Sequence, residues 1–232
     1  MSTLPTSMHY VWLLWSSAFL LPWLFLFIFF PEQRGIMVRI SFITAPFGLT
    51  EPVFVPEYWN PPSLFNLAQT TGFDLESIIF CFAIGGVGAV LYNTITGRKP
   101  VPVELHEEHN HRHRFHMYAV LSPIAVFLAL YFLPWNPIYP AIVAMLAGAA
   151  ATVACRPDLK IKTIIGGGLF LAYYAVFMLA LTWLAPGYIE AVWNLKALSQ
   201  VTVAGVPVEE LLFGFSFGMY WTGAYEHIAW KK

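Results

Sequence analysis

Residues 205–213 read GVPVEELLF, and residues 72–80, which lie 133 positions earlier, read GFDLESIIF. Each stretch places a glycine and then acidic residues at the start of a long apolar run. Glu76 occupies the same position in the first stretch as Glu209 in the second. An ionisable side chain inside a membrane segment is costly and therefore indicates a functional site. Together the two stretches predict a membrane protein built from two similar halves.

The composition also indicates a membrane protein. The 232 residues are 58% hydrophobic and only 11% charged, whereas about 25% of the residues of a soluble domain are charged. The formal net charge is −1 and no basic stripe is present, so there is no reason to expect a nucleic-acid partner. Cys81 and Cys155 both lie in apolar runs, where neither a disulfide framework nor a CxxC metal site is predicted.

Apolar runs long enough to cross about 30 Å of hydrocarbon recur along the chain. In order, the first to seventh spans are 8–30, 36–54, 74–95, 115–133, 137–155, 161–185 and 206–228. The second span is the weakest, because it contains Arg39, Pro46 and Glu51. The predicted fold class is an all-α integral membrane protein with seven transmembrane helices.

The basic residues test this number of spans. With seven spans, 11 of the 12 lysines and arginines fall on one side of the membrane, and only Lys196 falls on the other. Basic loop residues favour the cytoplasmic side. We therefore expect a multi-pass protein of the cell membrane, with the N-terminus outside and the C-terminus in the cytoplasm. Removing the second span would spoil this separation.

The offset of 133 residues relates the first three spans to the last three and leaves the fourth span as a linker. An odd spacer makes the two three-helix repeats parallel, related by an axis along the membrane normal. The predicted units are residues 1–95 for the first repeat, 96–136 for a histidine-rich cytoplasmic loop with the linking helix, and 137–232 for the second repeat.

The acids at the start of the third and seventh spans are the predicted catalytic groups. On a helix Glu209 and Phe213 lie on one face, whereas Glu210 points about 100° away. We therefore expect Glu209 to face an apolar interior with Phe213 and to act as a general acid. Glu210 would orient it or accept a proton, and Glu76 and Asp74 would assist. The alternative is that these acids only cap the N-termini of helices.

Two longer outer loops, 55–73 and 186–205, precede these acids, and each contains a Trp-Asn pair. Two interpretations stay open. The loops fold over the acids as lids, or their aromatic residues belong to an interfacial belt. The candidate substrate-binding residues are Trp59, Asn60, Trp193, Asn194, Phe80 and Phe213.

Five of the seven histidines lie in one stretch, at positions 106, 109, 111, 113 and 116. Too few histidines remain elsewhere for the separated boxes of a di-iron membrane oxygenase. The run from His106 to His116 is therefore predicted to be a solvated juxtamembrane loop that at most binds a metal weakly, without a catalytic metal. The glycine clusters lie within apolar runs and indicate close helix packing. No nucleotide, flavin or other cofactor is predicted.

Residues 207–213, PVEELLF, resemble the P-x-E-E-x-x-F signature of the small membrane lycopene cyclase domains. These flavin-independent domains occur as paired three-helix domains on two chains or fused in one. The similarity covers residues 51–95 and 186–228, although residues 74–77, DLES, lack the proline and the second acid of the signature. The resemblance implies an isomerase of carotenoid biosynthesis. A buried acid protonates a terminal alkene, the neighbouring double bond attacks the cation, and a base removes a proton to leave an ionone-type ring.

The resemblance also implies a long apolar isoprenoid substrate that enters from the membrane lipid. A related carotenoid hydratase, another terpenoid cyclase and a non-enzymatic seven-helix protein that binds lipid or assists assembly stay open as alternatives. A cavity between the third and seventh spans would favour the enzyme, and a packed, dry interface would favour the non-enzymatic protein. The ring isomer, the number of active repeats and the formation of a homo-oligomer do not follow from the sequence.

Overall fold

The structure is a computed structural model that describes residues 8–104 and 113–232. Most of the described chain is helical, as the sequence predicts. The helices are α1 (Val11–Ala18), α2 (Leu20–Phe29), α3 (Arg34–Thr44), α4 (Glu51–Phe54), α5 (Leu67–Thr71), α6 (Leu75–Thr96), α7 (His116–Tyr131), α8 (Ile138–Cys155), α9 (Lys160–Leu184), α10 (Tyr188–Val192) and α11 (Val208–Ile228). Two short strands, β1 (Thr202–Val203) and β2 (Val206–Pro207), pair antiparallel.

Within the described residues, four helical segments are long and apolar enough to cross a membrane. They are Val11–Phe29, Leu75–Thr96, Ile138–Cys155 and Pro157–Leu184. Helix α7 is apolar but shorter, and α11 has the necessary length but carries Glu209, Glu210 and Glu226. The chain is therefore a membrane protein, and the number of seven crossing helices stays a prediction.

Prolines interrupt two of the predicted spans. Helix α3 ends at Thr44 and the chain continues as a 3-10 helix over Ala45–Thr50 before α4 begins. Pro46 has no N–H for the helical ladder, and its ring clashes with the carbonyl group four residues earlier. Pro22 likewise accompanies the break between α1 and α2. The range 36–54 therefore does not form the single helix that its prediction as a transmembrane span assumes.

Helices α6 and α11 pack against each other inside the bundle. Near their C-terminal ends, Asn93 Nδ2 donates to Glu226 Oε1 at 3.0 Å, and Thr222 Oγ1 donates to the Gly88 carbonyl at 3.1 Å. The partners are 133 and 134 residues apart, which matches the offset between the two sequence stretches. Contacts at a nearly constant offset mean that the two helices run parallel. The division into repeats at 1–95 and 137–232 stays a prediction that agrees with these contacts.

Glycines let a flanking helix approach each central helix. Helix α3 packs on α6, and α9 packs on α11. A Cβ atom at Gly85 would lie 1.9 Å from Thr44 Oγ1, and one at Gly218 would lie 2.5 Å from Phe170 Cβ. Gly85 and Gly218 therefore serve close helix packing, as their sequence context predicts.

The two ends of the bundle are closed by different backbone contacts. Where α6 and α11 begin, the N–H of Asn60 donates to the Val192 carbonyl and the N–H of Asn194 donates to the Tyr58 carbonyl, both at 2.9 Å. Where these helices end, Val101 and Lys232 exchange two backbone hydrogen bonds of 2.8 Å. The first end joins the two outer loops, and the second holds the C-terminus beside the segment that follows α6.

Candidate active site

A tight hairpin positions the two adjacent acids at the start of α11. Ala204 and Gly205 connect β1 to β2 with φ angles of 52° and 83°, the left-handed pair that a two-residue hairpin turn requires. Pro207 ends β2, and the helix begins at the next residue. Glu209 and Glu210 follow in the first turn with exposed fractions of only 0% and 4%.

Glu210 is surrounded by hydrogen-bond donors. Trp193 Nε1 donates to its Oε1 at 2.7 Å, and the Tyr174 hydroxyl donates to its Oε2 at 2.6 Å. The Tyr58 hydroxyl makes a third hydrogen bond to Oε1. A carboxylate offers about four lone-pair positions. Three donors therefore leave one position of Glu210 at which a proton can be held.

Tyr58 comes from the outer loop between α4 and α6, whereas the other partners of Glu210 come from α9 and the loop before α11. Burial, and then the charge of Glu210, raise the pKa of Tyr58 well above its usual value. The phenol therefore keeps its proton and acts as a donor. This Glu210 centre, defined by Glu210, Tyr58, Tyr174 and Trp193, draws on both halves of the chain.

Glu209 has a different set of partners. Its Oε1 accepts hydrogen bonds from the Tyr139 hydroxyl at 2.7 Å and from the backbone N–H of Ser199 at 2.8 Å. In the first half, Glu76 Oε1 accepts the backbone N–H of Leu64 at 2.6 Å. Glu76 and Glu209, which correspond in sequence, therefore both bind the backbone of the loop that precedes their own helix.

The predicted apolar surroundings of Glu209 need correction. Glu209 is buried, as expected, but its partners are a phenol and a loop amide. Phe213 instead packs against Tyr174, with ring centroids 5.6 Å apart, and so lies beside the Glu210 centre. The direction of each side chain depends on where α8 and α9 pack around α11, which the helical spacing alone does not specify.

Aromatic rings occupy the space beside the Glu210 centre. Phe80 lies 6.4 Å from Tyr174 and 5.1 Å from Phe19, measured between ring centroids. Two clefts lie instead at the loops: one of about 210 Å³ includes Glu209, and one of about 550 Å³ includes Trp135. In this conformation the interface between α6 and α11 is packed at the acids, which is the arrangement expected of the non-enzymatic alternative. For the enzyme, a substrate has to displace rings to reach Glu210.

A second group of buried acids lies at the start of α6. Glu51 accepts hydrogen bonds from Ser77 Oγ and from Trp59 Nε1, the latter at 3.2 Å. Asp74 caps α6, because its Oδ1 accepts the Ser77 N–H at 2.5 Å, which is the capping role weighed against catalysis. The rings of Trp59 and Trp193 lie 5.3 Å apart. The two acidic groups are thus connected through the paired loops.

Comparison with known families matches the part of the chain that carries Glu210. Residues 136–228 fit the family model described as lycopene cyclase. This region is similar to lycopene cyclase domains. No curated protein and no solved structure matches the chain. The recognition made from PVEELLF is therefore confirmed for residues 136–228.

The matched region contributes Glu210, Tyr174 and Trp193, but Tyr58 lies outside it. The Glu210 centre is therefore complete only when the first half of the chain packs against this region. Among the predicted substrate-binding residues, Asn60 and Asn194 join the loops through their backbones.

Three residues of the site escaped the sequence analysis. Tyr58 directly precedes the Trp59-Asn60 pair, and Tyr174 lies within the apolar sixth span. Glu51 is an acid in an apolar span, but it counted there only as a weakness of the helix. For Glu51 and Tyr174, a polar group within an apolar span could have indicated a functional residue. The sequence does not give the distances between helices, so it could not show that these residues lie at the site.

The histidine run also differs from its prediction. His106, His109 and His111 lie outside the described residues. His116 is buried, with 8% of its surface exposed, so the prediction of a solvated loop is wrong for this residue. Its ring lies with Cys155 and His227, and their ligand atoms are all within 4.8 Å of one another. The prediction of no metal site considered only the histidine run, whereas the members of this group are far apart in sequence.

Proposed function

We propose that the protein is a membrane carotenoid cyclase, a lycopene cyclase-like isomerase that closes ionone-type rings without net redox change. The observation that carries the proposal is a buried carboxyl group, Glu210, held by three donors inside the region that matches the lycopene cyclase family model. The proposal includes seven crossing helices in two parallel repeats. The contacts between α6 and α11 at offsets of 133 and 134 residues support that arrangement.

Glu210 delivers the proton that starts the reaction. Its protonated form carries the hydrogen at the lone-pair position that the three donors leave open. When the proton moves to a terminal alkene carbon, negative charge develops on the carboxylate. Tyr58, Tyr174 and Trp193 already point at these oxygens and stabilise the charge without rearrangement.

The ring closes through a carbocation. Protonation converts the terminal double bond into a new C–H bond and a tertiary cation. The neighbouring double bond supplies the electron pair for the new C–C bond, and loss of a proton from the ring restores a double bond. The rings of Phe80, Tyr174 and Phe213 stabilise the cation by cation–π attraction. The Glu210 carboxylate takes back a proton, so the product is an isomer of the substrate.

The other acids have supporting roles in this proposal. Glu76 and Glu209 tie the outer loops to α6 and α11 through backbone N–H groups, and Asp74 caps α6. The paired loops cover the site as a lid. The isoprenoid enters from the surrounding lipid by displacing aromatic side chains, because such a substrate partitions into the hydrocarbon of the membrane.

Expression in a bacterium that accumulates lycopene tests the proposal. Chromatography and mass spectrometry of the pigments should show cyclic carotenes with the mass of lycopene, absent from cells with an empty vector. Products heavier by one water would indicate a hydratase. Unchanged lycopene in cells whose membranes contain the folded protein would indicate another terpenoid cyclase or a non-enzymatic protein. Either result would overturn the proposal.

A further inference from the structure

We propose that His116, Cys155 and His227 form a metal site of the zinc class. Helix α7 begins at His116, α8 ends at Cys155, and His227 lies in the last turn of α11. The site is at the end of the bundle opposite to the Glu210 centre. It is independent of the proposed cyclase function.

The distances around Cys155 match a tetrahedral site. Its Sγ lies 3.5 Å from Nδ1 of His116, and the ligand atoms of His116, Cys155 and His227 all lie within 4.8 Å of one another. Tetrahedral zinc has Zn–N distances of about 2.0–2.1 Å and Zn–S distances of about 2.3 Å, which places nitrogen and sulfur ligands about 3.5 Å apart. The same separation also fits a hydrogen bond to sulfur, so a second observation is needed to choose between them.

His227 provides that second observation. Its Nδ1 lies 3.1 Å from Thr152 Oγ1, while its Nε2 is buried and has no hydrogen-bond partner among the described residues. Leaving a buried polar nitrogen without a partner is costly. A histidine ligand commonly binds the metal through one ring nitrogen and an oxygen atom through the other. Nε2 of His227 is therefore assigned to the metal, with Thr152 orienting the ring.

The surroundings are compatible with a cation. The Arg156 guanidinium is held by Asp158 through hydrogen bonds of 2.9 and 2.6 Å, which offsets its charge. A metal-bound Cys155 is a thiolate, and its negative charge offsets part of the charge of a divalent ion. Trp230 stacks on His116 at 4.1 Å between ring centroids and covers the site.

A mixed imidazole and thiolate set favours zinc and similar borderline ions over magnesium or calcium, which prefer oxygen ligands. Three protein side chains hold the ion, and the fourth tetrahedral position is left to a further ligand. The metal thus fastens the start of α7 to the ends of α8 and α11. Its expected effect is on the stability of the bundle.

Metal content gives a direct test. The full-length protein is purified in detergent through a tag that contains no histidine, and bound zinc is measured by mass spectrometry. We expect about one zinc ion per chain, and Co²⁺ exchanged into the site should show thiolate-to-cobalt charge-transfer absorption. Cys155→Ser and His227→Gln should each lose the zinc. Adding a strong chelator should lower the Tm of the wild-type protein but not that of these two zinc-free variants.

Matched controls and a milder variant complete the experiment. Cys81→Ser and His9→Gln change a cysteine and a histidine outside the site and should keep the zinc. If Cys155→Ser does not fold, Thr152→Val retains all ligands and should weaken zinc binding by about 10–100-fold. Wild-type protein that binds neither zinc nor cobalt would overturn the proposal. Equal metal loss from the Cys81→Ser and His9→Gln variants would overturn it as well.

Discussion

The hydroxyl group of Tyr174 distinguishes it from its neighbour Tyr173. Tyr174 donates to Glu210 at 2.6 Å, whereas the Tyr173 hydroxyl is buried without a hydrogen-bond partner among the described residues. A hydrogen bond to a charged group contributes about 1.5–3 kcal/mol. Tyr174 therefore stabilises the carboxylate that forms when Glu210 releases its proton, and Tyr173 does not.

We accordingly predict that Tyr174→Phe lowers cyclisation by about 10–100-fold, the rate equivalent of that hydrogen bond. Tyr173→Phe is the matched control and should leave the rate almost unchanged. The measurement is product formed per folded protein in membranes supplied with lycopene. Equal rates for the two variants would mean that the hydroxyl at Glu210 has no part in the reaction.

Single residues also show where sequence reasoning reached its limit. The spacing correctly separated the directions of Glu209 and Glu210, because adjacent helical residues differ by about 100°. The spacing could not predict whether Glu209 or Glu210 contacts Tyr174, because that depends on how α9 packs on α11. Tyr58 was harder still, because it reaches Glu210 across 152 residues of sequence.

At the scale of elements, the packing of α9 on α11 depends on Gly218. A Cβ atom there would lie 2.7 Å from the Gly166 carbonyl oxygen, which belongs to the backbone and cannot move aside easily. Overpacking of this kind costs about 1–3 kcal/mol. Gly218→Ala should therefore lower the thermal stability of the purified protein.

Gly168→Ala provides the control for this prediction, because nothing lies within 4 Å of a Cβ atom at that position. Alanine is a better helix former than glycine, so this variant should be as stable as the wild type or more stable. The two Tm values are compared in the same detergent. A Gly218→Ala protein with the Tm of Gly168→Ala would show that the close contact is unimportant.

A buried ion pair connects α9 to α11 at the other end of the helices. Lys162 Nζ pairs with Glu226 and also donates to Asn93 Oδ1 at 2.8 Å. Removing one partner of a buried pair leaves an uncompensated charge and costs about 3–5 kcal/mol. Lys162→Met and Glu226→Met should each destabilise the protein strongly.

The double variant, Lys162→Met with Glu226→Met, should be more stable than either single variant, because no charge is left unpaired. Thermal unfolding of all four proteins in one detergent measures this coupling. Additive losses in the double variant would show that the two residues stabilise the fold independently. Such a result would show that the ion pair does not fix the position of α9.

Helix positions were the most predictable elements. Long apolar runs predicted α6, α8 and α9 closely, because apolar segments of this length form helices in a membrane. The second span was less predictable, since Pro46 changes the backbone to a 3-10 helix without ending the apolar run. The second span contributes Glu51 to the site, where it binds Ser77 and Trp59. The position of Glu51 depends on that irregular backbone.

The whole molecule has a direction that reporter fusions can measure. Lys232 lies at the end of the bundle where α6 and α11 finish. Met8 lies at the opposite end, because its side chain would be 4.0 Å from a Cβ atom placed on Gly187. We predict an external N-terminus and a cytoplasmic C-terminus, because basic residues favour the cytoplasm. Reporters at both termini that give the same side would contradict this topology and the parallel repeats.

The membrane class followed from composition, and the family followed from PVEELLF. The assembly of the site did not, because its parts come from the loop of one half and the helices of the other. The metal site was hidden for the same reason, since His116, Cys155 and His227 meet only when three helix ends are brought together. Contacts across long sequence separations are not encoded in local spacing.

The most direct test of Glu210 as the proton donor compares Glu210→Gln with Glu209→Gln in the lycopene-accumulating bacterium. General acid catalysis contributes about 10²–10⁴ in rate, so Glu210→Gln should insert normally and lose nearly all cyclic carotene. Glu209→Gln keeps the shape of the loop contact and should retain most of the activity. The reverse pattern, with an active Glu210→Gln and an inactive Glu209→Gln at equal protein levels, would contradict the assignment and make Glu209 the donor.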